Sequence, residues 1–255
     1  MMINKKKLLL TTAAVLMSLG IAATAMAAPG QFSVQGDELE YDMKTGEGIA
    51  KGNVVLLQDG GKATADYAVF NSKSKQGTLR GNVVADKDNA HIVCNEFVVH
   101  NENDMSAVGN AVMTKDGRTL AADRVNYYKL REYAETEGGW ARLTDTDGSV
   151  LNAVKIDYDM KLGVANATGG VTIDSEARKL TASADKAIYE TKQNGYVELI
   201  GNAKATQDGN TVSGNRLRLT NTNVAIADGD VHIKYIPQQQ PAAVTKEQYA
   251  ESELA

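Results

Sequence analysis

Three histidines, one cysteine and a recurring acid are the side chains that could carry chemistry in this sequence. His91, His100 and His232 are scattered and show no metal-ligand spacing. Asp145, Asp147 and Gly148 match half of a calcium loop, but no acid follows at the bidentate place, so a hairpin turn explains them better. Cys94 is alone, which leaves no internal disulfide and suits a small core residue more than a nucleophile. No G-x-S-x-G, P-loop or G-x-G-x-x-G segment occurs. An Asp or Asn, replaced once by Val, recurs in one setting: Gly36-Asp37, Ala65-Asp66, Cys94-Asn95, Ala122-Asp123, Ala153-Val154, Ala184-Asp185 and Gly214-Asn215. One place per unit is the mark of structure, and it predicts side-chain hydrogen bonds to the backbone at a strand corner. The expected catalytic residues, metal ligands and cofactors are therefore none, and the chain reads as a non-enzyme.

Those acids belong to a unit of roughly 30 residues that occurs seven times. Its other landmark is a Gly, usually followed by Asn and an apolar run, at Gly52, Gly81, Gly109, Gly139, Gly169, Gly201 and Gly229. After the acid, positions +2 and +4 are apolar, as in Leu39/Tyr41, Phe97/Val99, Ile156/Tyr158 and Leu217/Leu219, while +1 and +3 are mainly polar. Around the Gly, the residues two before and two and four after are apolar, as in Ala50/Val54/Leu56 and Ala167/Val171/Ile173. Period two over such lengths predicts strands with one buried face.

Asp59-Gly60, Asp116-Gly117, Asp147-Gly148 and Asp208-Gly209 supply hairpin turns, with Asp88-Asn89 in the same place once. Two strands per unit and seven units predict an all-β fold of about 14 antiparallel strands. Unit four is irregular, with Gly139-Trp140 for Gly-Asn, and the register between 128 and 153 cannot be read from the pattern.

Residues 1–27 read as a cleavable signal peptide: Lys5 to Lys7, an apolar stretch from Leu8 to Ala23, then Ala25-Met26-Ala27. Its removal takes the formal charge from −5 to −8, since it holds three Lys and no acids. An acidic chain with no basic block argues against nucleic acid as a partner. Residues 28–236 read as one repeat domain and 237–255 as a flexible tail, with Pro237 ending strand pairing near Tyr235 or Ile236.

The pattern small-Asp-x-apolar-x-Tyr followed by Ala-x-Gly-Asn-Val resembles the OstA-like family. Residues 36–56, 65–85, 121–127, 153–173 and 184–205 carry the resemblance, which spans about 33–235. It implies an elongated, twisted open β-jellyroll with an apolar slot, located in the periplasm. The implied cargo is lipopolysaccharide, its acyl chains in the slot, carried or bridged from inner to outer membrane. The implied partners are further copies, joined head to tail through edge strands, and jellyroll-containing transport proteins of both membranes. By pattern, the slot set is Leu39, Tyr41, Val54, Leu56, Phe70, Val83, Phe97, Val99, Val125, Tyr127, Ile156, Tyr158, Val171, Ile173, Tyr189, Leu217 and Leu219. Each would also serve as core when no lipid is bound.

Three other readings use the same strands: an envelope scaffold without glycolipid cargo, an outer-membrane β-barrel, and a secreted solenoid acting on polysaccharide. A barrel would face its apolar side chains outward between aromatic girdles, and this chain is only 5% aromatic. A polysaccharide enzyme would need clustered carboxylates, which the sequence does not show.

Overall fold

The alternation of apolar and polar residues becomes strands of up to 12 residues, about twice the usual length. They are long because each carries two halves that face different ways. The computed structural model describes residues 32–191, 195–220 and 224–237, so the expected signal peptide and the tail beyond Pro237 lie outside the described residues. The first strands are β1 (Phe32–Gln35), β2 (Glu38–Tyr41), β3 (Glu47–Gln58), β4 (Gly61–Asn71), β5 (Gln76–Lys87) and β6 (Ala90–Val99). There follow β7 (Asp104–Lys115), β8 (Arg118–Tyr128), β9 (Tyr133–Thr144), β10 (Val150–Ala153), β11 (Lys155–Asp159) and β12 (Val164–Ser175). The last are β13 (Leu180–Glu190), β14 (Tyr196–Gln207), β15 (Asn210–Thr220), β16 (Ala225–Asp228) and β17 (His232–Lys234).

Among the described residues these seventeen form one antiparallel sheet. Each long strand pairs with its successor. The pairs β1/β2, β10/β11 and β16/β17 are single strands interrupted at the acid's position (Val154 in the second pair) or the Gly, since both members of each bond the same neighbour. Counting each interrupted strand once gives the fourteen that seven two-strand units predict. Helical residues are confined, within the described part, to two single 3-10 turns, Lys129–Arg131 and Glu176–Arg178.

A crease runs across the sheet at the recurring Gly and acid. Between β3 and β4, Lys51 pairs with Tyr67 and Val54 with Ala65, so Gly52 and Asn53 stand opposite Asp66 alone. Such a bulge bends the strand, and its repetition folds the sheet into two facing walls, the first holding residues 47–51 and 67–71 of β3 and β4 with their counterparts, the second residues 54–58 and 61–65 with theirs. Gly81 and Asn82 show the local cause: both have positive φ (+77° and +47°), and a Cβ on Gly81 would overlap the Asp66 carboxylate. Asn82 Nδ2 then donates to Asp66 Oδ2 at 2.8 Å, as Asn53 does to Asp37 and Asn202 to Asp185, both at 3.0 Å. The acids therefore receive bonds from the side-chain amide of the next strand, where the sequence pattern predicts backbone partners.

Unit four keeps the same device with different residues. Glu137 pairs with Arg124 and Ala141 with Ala122, which leaves three residues, Gly138, Gly139 and Trp140, opposite Asp123. Gly138, one residue before the position the repeat indicated, packs against Asp123. The extra residue, Trp140, bonds its indole Nε1 to Asp123 Oδ1 at 2.8 Å and replaces the missing amide. In unit five, Val154 replaces the acid and Gly170 replaces Asn, so donor and acceptor disappear together.

The hairpins behave as their composition requires. Asp59 and Gly60 have φ of +48° and +79°, the two positive angles of a type I′ turn. At the far end the ladder closes at Lys234, just before Tyr235, and the Ile236 amide bonds Asn210 Oδ1 at 2.9 Å instead of another strand.

Candidate functional site: an apolar slot between two walls

The two walls enclose a wedge whose width follows from side-chain size. Next to the crease, the second wall presents Val54, Ala65, Val83, Cys94, Ala111, Ala122, Ala141, Ala153, Val171, Ala184 and Ala203, nearly all small and all buried. Small residues let the walls approach closely there. One step towards the rim stand larger groups: Ile92, Met113, Leu120, Leu143, Leu151 and Ile173 on the second wall, with Phe70 and Tyr158 on the first. Cys94 occupies one place in the small row, 3% exposed, and burial pushes its thiol up to about 11. The thiolate is the reactive form, so this side chain is inert at neutral pH.

The predicted slot residues come together in this wedge, with exceptions at one end. Val54, Phe70, Val83, Phe97, Val125, Ile156, Tyr158, Val171, Ile173 and Leu217 are buried in one continuous cluster. Val99, Tyr127, Tyr189 and Leu219 pack against it half-buried, and Leu56 is likewise half-buried. Leu39 and Tyr41 are exposed, because β2 is an edge strand whose outer side nothing covers among the described residues. Tyr41 stacks at 6.2 Å on Phe70, which in turn lies 5.3 Å from Phe32, so an aromatic group marks the first end of the slot. Between the walls the side chains meet, and a cavity of about 20 Å³ lined by Ser149, Leu151, Ile173, Tyr189 and Val197 has room for about one water. A long apolar chain fits this interior only when the walls separate.

Sequence reasoning did not place Leu143, Leu151 and Leu199 in the slot, although they are among the largest fully buried side chains. Leu199 stands two before Gly201 and shared the alternation that marked the rest. Leu143 and Leu151 belong to the irregular unit, where the pattern gave no register. A polar group at the rim also had no sequence signal. Tyr189 Oη donates to Asp145 Oδ2 at 2.6 Å, and burial with this bond holds its phenol far above the ordinary range. Arg118 Nε lies 2.9 Å from Asp145 Oδ1.

Each histidine has a local polar neighbour: His91 Nδ1 at 2.6 Å from Asp86, His100 Nε2 at 2.9 Å from Ser106 and His232 Nε2 at 3.3 Å from Asp230. The site offers burial, shape and a polar rim, which suits holding an apolar chain.

The sequence model of a family described as LptA/(LptD N-terminal domain) LPS transport protein matches residues 62–225, which is 164 of the 255 residues. No curated protein matches. Among solved structures the chain is similar to LptH from Pseudomonas aeruginosa, described as the LptA-homologous periplasmic component of the conserved lipopolysaccharide transport device. Identity is 16%, coverage is 81% of this chain and 96% of that one, and the TM-score is 0.18, so family membership rests on the match over residues 62–225.

Proposed function

The chain belongs to the LptA/LptD N-terminal-domain family of lipopolysaccharide transport proteins, and we propose that it carries this glycolipid across the periplasm as a link between inner and outer membrane. The acyl chains lie between the two walls, on Phe70, Phe97, Val125, Ile156, Tyr158 and their neighbours in the slot set, and the sugar portion stays outside the rim. One observation supports this above the rest: a single apolar interior runs through every unit between two walls whose strands are continuous across the crease. The slot can continue into a successive molecule because both ends of the sheet are open.

The scaffold and barrel readings are not favoured. Among the described residues the first and last strands pair with each other nowhere, so the sheet is not closed, and its apolar face points inward. Export by the 1–27 signal peptide, periplasmic location, and docking onto jellyroll-containing proteins of the two membranes are parts of the same proposal.

A bridge needs copies that join end to end, and unpaired edges favour such pairing. At one end Leu39 and Tyr41 are exposed, and at the other Ile226, Ile233 and Tyr235 are. The two ends differ, so the contact is heterologous and does not close. Light scattering on the mature chain should show a mass that rises steadily with concentration, and Ile233→Pro, which removes an edge donor, should lower it towards monomer. A monomer at every concentration, with both end strands intact, would count against the bridge.

A further inference from the structure

Polar side chains tie the two walls together at one place on the slot's rim. Arg118 opens β8 and Asp145 follows β9, as neighbours on the second wall. Their 2.9 Å contact is an ion pair lacking the alignment of a good hydrogen bond. Tyr189 and Thr191 lie at the end of β13 and just beyond it, on the first wall. Tyr189 Oη donates to Asp145 at 2.6 Å, and Arg118 Nη2 donates to the Thr191 carbonyl at 2.8 Å. These bonds join residues 44 and 73 positions apart, so they are contacts across the fold and not within a hairpin.

The group is unusual for its surroundings. The Asp145 side chain is 8% exposed, and its remaining bonds, from the Thr146 amide at 2.7 Å and hydroxyl at 3.3 Å, merely shape its own turn. A buried ion pair adds little to stability relative to apolar residues of the same volume, so holding the fold does not require one here. Elsewhere the walls meet across the rim through looser contacts: Lys75 at 3.7 Å from Asp59, and Lys115 at 5.8 Å from the Tyr127 ring centroid. The small cavity, lined by Leu151, Ile173 and Val197, also has Tyr189 in its wall, so it lies against the tie.

We propose that Arg118, Asp145 and Tyr189 form a crossbar over the mouth of the slot, which must open before an acyl chain can run from one end to the other. Closed, Asp145 accepts the Tyr189 hydroxyl and faces the Arg118 charge, while Arg118 Nη2 bonds the Thr191 carbonyl. Open, all three face the wet rim, so the opening leaves no unpaired charge in the core. The inference rests on the lipid-slot reading and adds to it the step that gates loading.

Tyr189→Phe keeps the ring and removes only the bond to Asp145. In that variant, hydrogen exchange at the amides of Leu151 and Val197 should speed about tenfold, the scale of losing a hydrogen bond to a charged group. The amides of Ala50 and Ala68, in the first unit, should be unchanged. Purified lipopolysaccharide should load about tenfold faster into the variant, because the open state is more populated. An increase below about threefold in exchange at Leu151 and Val197 overturns the crossbar. Faster exchange with unchanged loading overturns its gating role. If the native chain takes up no lipopolysaccharide, the lipid reading fails instead, and the exchange data still decide whether the crossbar joins the walls.

Discussion

Gly81→Ala should destabilise the protein by about 3 kcal/mol, whereas Gly60→Ala should cost only about 1 kcal/mol, although both glycines have nearly the same backbone angle. Their φ values are +77° and +79°, so the left-handed strain is shared. The difference is space. A Cβ on Gly60 meets nothing within 4 Å, while one on Gly81 overlaps the Asp66 carboxylate at the crease. Clearing that overlap breaks the Asn82–Asp66 bond and opens the bulge in two strands at once. For a chain of this size each kcal/mol moves the melting temperature by about 2–4 °C, so the two variants should separate by several degrees. Adding Asp66→Ala to Gly81→Ala should recover part of the loss. Equal melting temperatures for the two single variants would show that the crease does not depend on close packing of Gly on acid.

The second large effect is on lipid. Ile156 is fully buried, and Ile156→Asp should remove several kcal/mol of stability and unfold much of the protein, because an unpaired carboxylate there has no water. Phe97→Asp, at 7% exposure, should behave similarly. Val99 and Leu219 are only half-buried beside the same cluster, so an Asp at either can reach the rim and leave the fold intact. In those folded variants, verified by circular dichroism, lipopolysaccharide affinity should fall by about tenfold or more, since each places a charge among acyl chains. Unchanged affinity in several folded variants would sink the lipid slot.

Much of this architecture was legible because it repeats. Seven copies of one unit gave the strand number, the inward face and the turns without any single motif being strong. The acid's regular recurrence marks it as structural, but its partner is an Asn side chain and not the backbone. An Asn side chain that reaches an acid on the neighbouring strand cannot be distinguished, from spacing alone, from a backbone amide doing the same. In unit four the repeat placed the corner at Gly139, and the structure places it at Gly138. Two adjacent glycines left the choice to Trp140, whose indole does the work of the lost Asn. Leu39 and Tyr41 carry the inward pattern but sit on an edge strand, and alternation records which face a residue takes, not what covers that face. The crossbar had no signal at all, because its members lie in strands and turns far apart in the chain and meet only when the walls close.

The central claim is that lipid occupies the space between the walls. A photo-crosslinking residue at Tyr127 faces that space, half-buried against the core, whereas one at Val69, 42% exposed, lies on the first wall with its side chain to solvent. In cells making lipopolysaccharide, irradiation should give a lipopolysaccharide adduct at position 127 and none at 69. A folded, exported protein that gives no adduct at 127, or equal adducts at both positions, would contradict the account.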